Sequence, residues 1–114
     1  MAEYLHHRNG TWVIQSKHYQ ERMQQRRKGM TEQQMKAMFD SIVDYYHAHK
    51  ERFEQLPYNS ELFFYSRKFQ RGMVLAHRHD TRTHSDQKHF VLLTVYPHGV
   101  RDPLYEDTPK VYVN

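Results

Sequence analysis

The chain has 114 residues, with 17 Lys and Arg against 13 Asp and Glu, a formal charge of +4 and a pI near 9.4; this length suits one domain spanning residues 1–114 with a modest core. Its 38% hydrophobic and 14% aromatic content can build that core and excludes global disorder, and the lack of Cys excludes disulfide scaffolds and thiolate metal sites. No apolar run approaches the roughly 18 residues of a membrane helix, and the polar start Met1 to Gly10 lacks the apolar centre of a signal peptide, so a soluble, cytoplasmic protein without a membrane partner is expected.

The first patterned segment is Thr11 to Gln15, a short β-prone run suited to an edge strand. Ser16 reads as the N-cap of a helix from about Lys17 to Arg27, which Gly29 ends. Thr31, with Gln34 three residues on, reads as a capping box. Met35, Met38, Phe39, Ile42, Tyr45, Tyr46, His49 and Phe53 then recur at steps of three and four, one stripe of a helix reaching to about Phe53. Pro57 and Tyr58-Asn59-Ser60 mark a loop. Three β-prone runs follow: Leu62 to Phe69, Met73 to His79 after a turn at Gln70-Arg71-Gly72, and Lys88 to Tyr96 after the polar stretch Asp80 to Gln87. The last run is apolar on both faces, Val91, Leu93 and Val95 on one and Phe90, Leu92 and Tyr96 on the other, as a central strand is. Val111 to Val113 reads as a short final strand. The expected fold is α+β, with two N-terminal helices packed on an antiparallel β-sheet.

Several groups of residues carry chemistry. His18, Arg22 and Arg26 recur every four residues and share one helix face, where two guanidinium forks and an imidazole suit a phosphate backbone; a solvated face is the alternative. Tyr96, His98, Arg101 and Tyr105 follow one another from the C-terminal end of the last long strand, a common position for active residues; a polar loop with Tyr105 in the core is the alternative. A His can move protons, an Arg can hold developing phosphoryl charge, and a Tyr can stack on a base. Arg67, Lys68, Arg71 and Arg78, with Tyr65, form a basic and aromatic pattern suited to single-stranded RNA. His77, His79, His84 and His89 offer imidazoles, but Arg78, Arg82 and Lys88 among them repel a cation. No metal and no other cofactor is therefore expected.

The run Ser16-Lys17-His18-Tyr19-Gln20-Glu21-Arg22-Met23-Gln24-Gln25-Arg26, followed by Gly29-Met30-Thr31, resembles the S-K-H-x3-R-M-x2-R-G-I-T opening of small bacterial and phage domains related to BrnT-type toxins. Val91 to Tyr96 resembles their final core strand. Arg27 and Lys28 before Gly29, and Met30 in place of Ile, depart from that pattern. Such domains are similar in layout to RelE-type ribonucleases, and His98, Arg101 and Tyr105 resemble, with altered spacing, the His or Arg, Arg and Tyr that often follow their last strand. The resemblance implies a RelE-like fold, a toxin-like hydrolase acting on RNA, association with ribosomes, and an antitoxin or host protein as partner.

Together these features lead to the expectation of an RNA-binding, metal-independent endoribonuclease, directed at mRNA or another RNA. His18 or His98 takes the ribose proton, Arg22, Arg26 and Arg101 hold the charge, and Tyr105 positions the RNA or aids the leaving oxygen. Arg71, Arg78 and Tyr96 complete the expected nucleic-acid contacts. The alternative is a non-catalytic phage or bacterial protein that binds RNA or a host protein and inhibits it.

Overall fold

Asn9 and Gly10 both take positive φ, 51° and 81°, the pair of conformations a two-residue type I′ turn requires. They join β1 (Ala2–Arg8) to β2 (Thr11–Ser16) as an antiparallel hairpin. The first strand expected from the sequence starts at Thr11, so β1 is not among the expected strands. A bulge between Tyr4 and His6 breaks the period of two by which a strand is recognised. The computed structural model describes residues 2–16, 29–57, 59–79 and 88–114. The helix expected over Lys17 to Arg27 lies outside the described residues.

Thr31 opens α1 (Glu32–Ala48) with the expected capping box: its hydroxyl accepts from the Gln34 amide at 3.1 Å, and the Gln34 side chain accepts from the Thr31 amide at 2.9 Å. The helix expected to run to Phe53 instead breaks at His49 (φ −131°, ψ 39°), and a short α2 (Lys50–Glu54) follows. β3 (Ser60–Ser66), β4 (Arg71–His79), β5 (Lys88–Val95) and β6 (Lys110–Tyr112) complete the chain. The turn between β3 and β4 lies over Arg67 to Gln70. Gln70 carries its positive φ of 52°, so Arg71 and Gly72 belong to β4 and not to the turn.

The six strands form one sheet in the order β1-β2-β5-β4-β3-β6. The pairs β1–β2, β3–β4 and β4–β5 are antiparallel, while β2–β5 and β3–β6 are parallel. Two expectations are corrected. Both described helices follow the β1–β2 hairpin and are not N-terminal, and the sheet is mixed and not antiparallel throughout. The cause is common to both. The helical segment returns the chain to the side of β2 away from β1, where the meander β3-β4-β5 brings β5 in parallel to β2.

One face of the sheet carries the helices. Met35, Met38, Phe39, Ile42 and Tyr46 of α1 are buried against Leu62, Phe64, Met73, Leu75, Phe90 and Leu92, as the stripe predicts. At about 25 cal/mol per Å² of apolar surface, this layer dominates the stability of so small a domain. β5 is central, as expected, between β2 and β4. Its faces exchange part-way, because the register with β4 shifts between Val74 and Leu75. Val95 therefore joins Phe90 and Leu92 under the helices, and Tyr96 turns to the opposite face. There Phe63, Tyr65 and Val74 form a second, smaller cluster. None of the described helices is long and apolar enough to cross a membrane.

Candidate nucleic-acid interface

β2 and β5 are parallel, so the chain leaves both at the same end of the sheet, through Ser16 and through Tyr96. Arg71, the first residue of β4, stands at this end. One Arg71 Nη donates to the Tyr96 carbonyl at 3.3 Å. The other lies 3.3 Å from where a Cβ on Gly29 would sit. At φ 88°, Gly29 suits both the left-handed backbone and this close approach. Beyond Tyr96, Gly99 donates its N–H to the Gln70 carbonyl at 2.9 Å. This bond seats the Pro97-His98-Gly99 turn beside the β3–β4 turn. His98 and Arg101 are both exposed and, among the described residues, make no hydrogen bond or ion pair. One end of the sheet thus gathers Arg71, Tyr96 and His98, with Arg101 close behind in sequence.

Other candidates are dispersed. Arg78 sits near the far end of β4, bound through Nε to the Asn59 side chain at 3.0 Å. Seven residues separate it from Arg71, about 23 Å along a strand. Tyr105 is 68% exposed, and its carbonyl accepts from the Thr108 amide at 3.1 Å. The Pro109 carbonyl in turn accepts from the Phe63 amide at 2.9 Å, which places this turn beside the start of β6 and away from His98. His18, Arg22 and Arg26 lie outside the described residues, as does His84. His77 is buried among the rings of Tyr46, Phe53 and Phe90, at centroid distances of 5.3, 5.5 and 5.1 Å. It serves the helix-side core.

The segment leaving β5 crosses β4 and β3 on the face opposite the helices before it forms β6. Between it and the sheet is a cleft of about 230 Å³. Val74 and Leu93 line it from the sheet and Pro103, Leu104 and Tyr105 from the crossing segment, with Glu61 and Tyr96 also lining it. The Tyr96 hydroxyl accepts from the Leu104 amide at 3.3 Å and ties the two sides together.

Lys110 and Tyr112, which the sequence pattern does not single out, join Arg67 and Tyr65 in a row of cations over rings on the β3–β6 edge. The Arg67 guanidinium lies 4.5 Å from the Tyr112 ring centroid, and Lys110 Nζ lies 5.0 Å from it and 5.8 Å from that of Tyr65. Tyr65, expected in an open groove, is buried at 4% exposure, so Tyr112 is the exposed ring here. Lys110 also binds Asp102 at 3.0 Å. Its ammonium is held above the ordinary lysine range, first by the Tyr112 side chain and then by Asp102. The alternation of Lys110, Val111 and Tyr112, with Val111 in the core, was the available signal.

Comparison with known proteins finds no match to a family model, to a curated protein or to a solved structure.

Proposed function

We propose that the protein binds single-stranded RNA at the end of the sheet marked by Arg71, Tyr96, His98 and Arg101, and cleaves it without a metal. The ribose 2′-oxygen attacks the adjacent phosphorus as a base takes its proton. The bond from phosphorus to the 5′-oxygen breaks, and an acid protonates that oxygen. The products are a 2′,3′-cyclic phosphate and a 5′-hydroxyl. His98 is one proton carrier and His18 the other, while Arg101 and Arg71 hold the phosphoryl charge. Tyr105 contacts RNA further along its path, with Arg22 and Arg26 as additional phosphate ligands. The observation that carries this reading is the joint exit of β2 and β5 at one end of the sheet. It puts Ser16, the last described residue before His18, at the same end of the sheet as the guanidinium held on the Tyr96 carbonyl and the turn that carries His98.

A RelE-like layout, a toxin-like role in the cytoplasm of a bacterium or in phage infection, ribosome association, and an antitoxin or host protein as partner all belong to the same proposal. Its structural support is the α1 stripe packed over the β3-β4-β5 meander. A non-catalytic binding protein is the second reading. It draws on Leu104 and Tyr105, exposed at 73% and 68%, an apolar tip that suits a protein partner.

The test incubates the purified protein with a mixed-sequence RNA, with and without ribosomes, beside His98→Ala and His18→Ala. Acid–base chemistry contributes about 10²–10⁴ in rate, so each variant should lose most cleavage while keeping its RNA affinity. A 2′-deoxy substitution at the cleaved position should stop the reaction. Cleavage that survives the deoxy substitution, or both His variants, refutes the mechanism. RNA binding without any cleavage selects the second reading.

A further inference from the structure

The cleft over the second face of the sheet holds a group that a surface for phosphates does not account for. Glu61 lines it and is exposed. Its carboxylate makes no hydrogen bond or ion pair among the described residues, although Lys110 lies on the neighbouring strand and is engaged with Asp102. A free carboxylate repels the RNA backbone, yet it accepts hydrogen bonds from base edges. The rest of the cleft suits a flat, largely apolar guest: Val74 and Leu93 on the sheet side, and the Tyr105 ring in the crossing segment. Its volume of about 230 Å³ falls below the roughly 300–1,000 Å³ typical of drug-sized ligand sites, and matches one unstacked base better than a larger ligand. Tyr105 and Glu61 are brought to the same part of the cleft by consecutive bonds: Thr108 N–H to the Tyr105 carbonyl, then Phe63 N–H to the Pro109 carbonyl, two residues along β3 from Glu61.

Resting on the RNA-binding reading above, we infer that this cleft receives a guanine base of the bound strand, with Glu61 reading its Watson–Crick edge and Tyr105 stacking on its face. The choice among bases follows from their edges. Guanine presents two adjacent donors, N1–H and the 2-amino group, which the two carboxylate oxygens accept in parallel. Adenine presents an acceptor at N1, cytosine an acceptor at N3 beside its single amino donor, and uracil one donor flanked by two acceptors. Each of these sets a lone pair against the carboxylate. A cationic side chain from a protein partner is the competing guest. The excess of positive charge on the chain, +4 overall, disfavours it and favours a polyanion.

The test is fluorescence anisotropy with five-nucleotide RNAs that differ only at the central base, G, A, C, U or inosine, in flanks without guanine, beside a 20-nucleotide RNA that lacks guanine. A good bidentate pair discriminates by about 1–3 kcal/mol, so the G oligonucleotide should bind about tenfold tighter than those with A, C or U. Inosine, which lacks the 2-amino donor, should fall between. Glu61→Gln, which keeps shape and exposure, should bring all five together and leave the affinity for the 20-nucleotide RNA within about twofold. Tyr105→Ala should weaken all five alike, since stacking tolerates every base. Equal affinity for the five in the unaltered protein, or a guanine preference that survives Glu61→Gln, overturns the inference while RNA binding stands. A loss of binding to an arginine peptide on Glu61→Gln, with no base preference, assigns the cleft to a cation and overturns it too. Failure to bind the 20-nucleotide RNA refutes the RNA-binding reading itself.

Discussion

Gly72→Ala tests how the second face of the sheet is packed. Gly72 lies in β4 beneath the Phe63 ring. A Cβ at this position would lie 2.6 Å from Cε2 and 3.1 Å from Cε1 of that ring, and closer still to Cζ. Phe63 is fully buried and packs edge-on against Tyr96, with centroids 5.4 Å apart. The Gly72 carbonyl also accepts from the Tyr96 amide at 2.8 Å. Phe63 is enclosed on all sides, so the added methyl must push its ring from its place. Overpacking of this kind costs about 1–3 kcal/mol, a sizeable part of the ~5–15 kcal/mol that holds a domain folded. Urea denaturation should show a lower midpoint at unchanged slope. The decisive arm is the double variant. Phe63→Ala alone should cost about 3–5 kcal/mol. In that background the methyl has room, and the lost freedom of the unfolded chain then makes Gly72→Ala neutral or stabilising by about 0.4–1 kcal/mol. If Gly72→Ala costs the same in both backgrounds, the contact with Phe63 is not what requires glycine.

Two further outcomes are expected. Asp40 accepts from His6 at 2.6 Å and lies 3.5 Å from Arg8, so Asp40→Ala should loosen the β1–β2 hairpin from α1. The cost should be about 1 kcal/mol, given the partial exposure of the pair, and the amides of β1 should exchange faster by NMR; unchanged exchange there would refute the docking role. In RNA binding, Arg71→Ala should lower the slope of log affinity against log salt by about one unit. Arg78→Ala, at the other end of β4 and held by Asn59, should leave it unchanged. Equal effects of the two would contradict a site confined to one end of the sheet.

The parts of the fold legible in the sequence are those where local pattern and tertiary demand agree. The α1 stripe and its capping box are such a case, since Thr31 and Gln34 satisfy each other without help from elsewhere. The meander is another, because β3, β4 and β5 each place a buried run under the helices. Where local and tertiary signals diverge, the pattern misleads. The bulge between Tyr4 and His6 hides β1 even though Asn9-Gly10 is a strong hairpin signal. The shift at Val74 and Leu75 carries Tyr96 to the face opposite the one its alternation with Leu92 implies. His77, grouped with other imidazoles by sequence, has Tyr46, Phe53 and Phe90 as its neighbours. Each ring comes from a different element, and no local pattern records that.

The same logic governs the candidate site. Tyr96, His98, Arg101 and Tyr105 are close in sequence, and spacing alone groups them. Yet β6 lies parallel to β3 at the far edge of the sheet, and parallel strands of one sheet can be joined only by a crossing connection. The chain after β5 must therefore travel across β4 and β3. Gly99 is held by Gln70 at the start of that path, and Tyr105 is bonded to Thr108, next to Pro109, at its end. One sequence cluster thus becomes two places: a basic end of the sheet with His98, and a cleft with Tyr105 and Glu61. Tyr96 belongs to both, since its carbonyl binds Arg71 and its hydroxyl binds the Leu104 amide. On the proposed function, an RNA strand that reaches from one place to the other would pass this ring, and the distance between a phosphate at the sheet end and a base in the cleft would be set by the crossing segment. On this reasoning the position of a cut relative to a guanine is a property of the β5–β6 connection, and lengthening that connection should shift it.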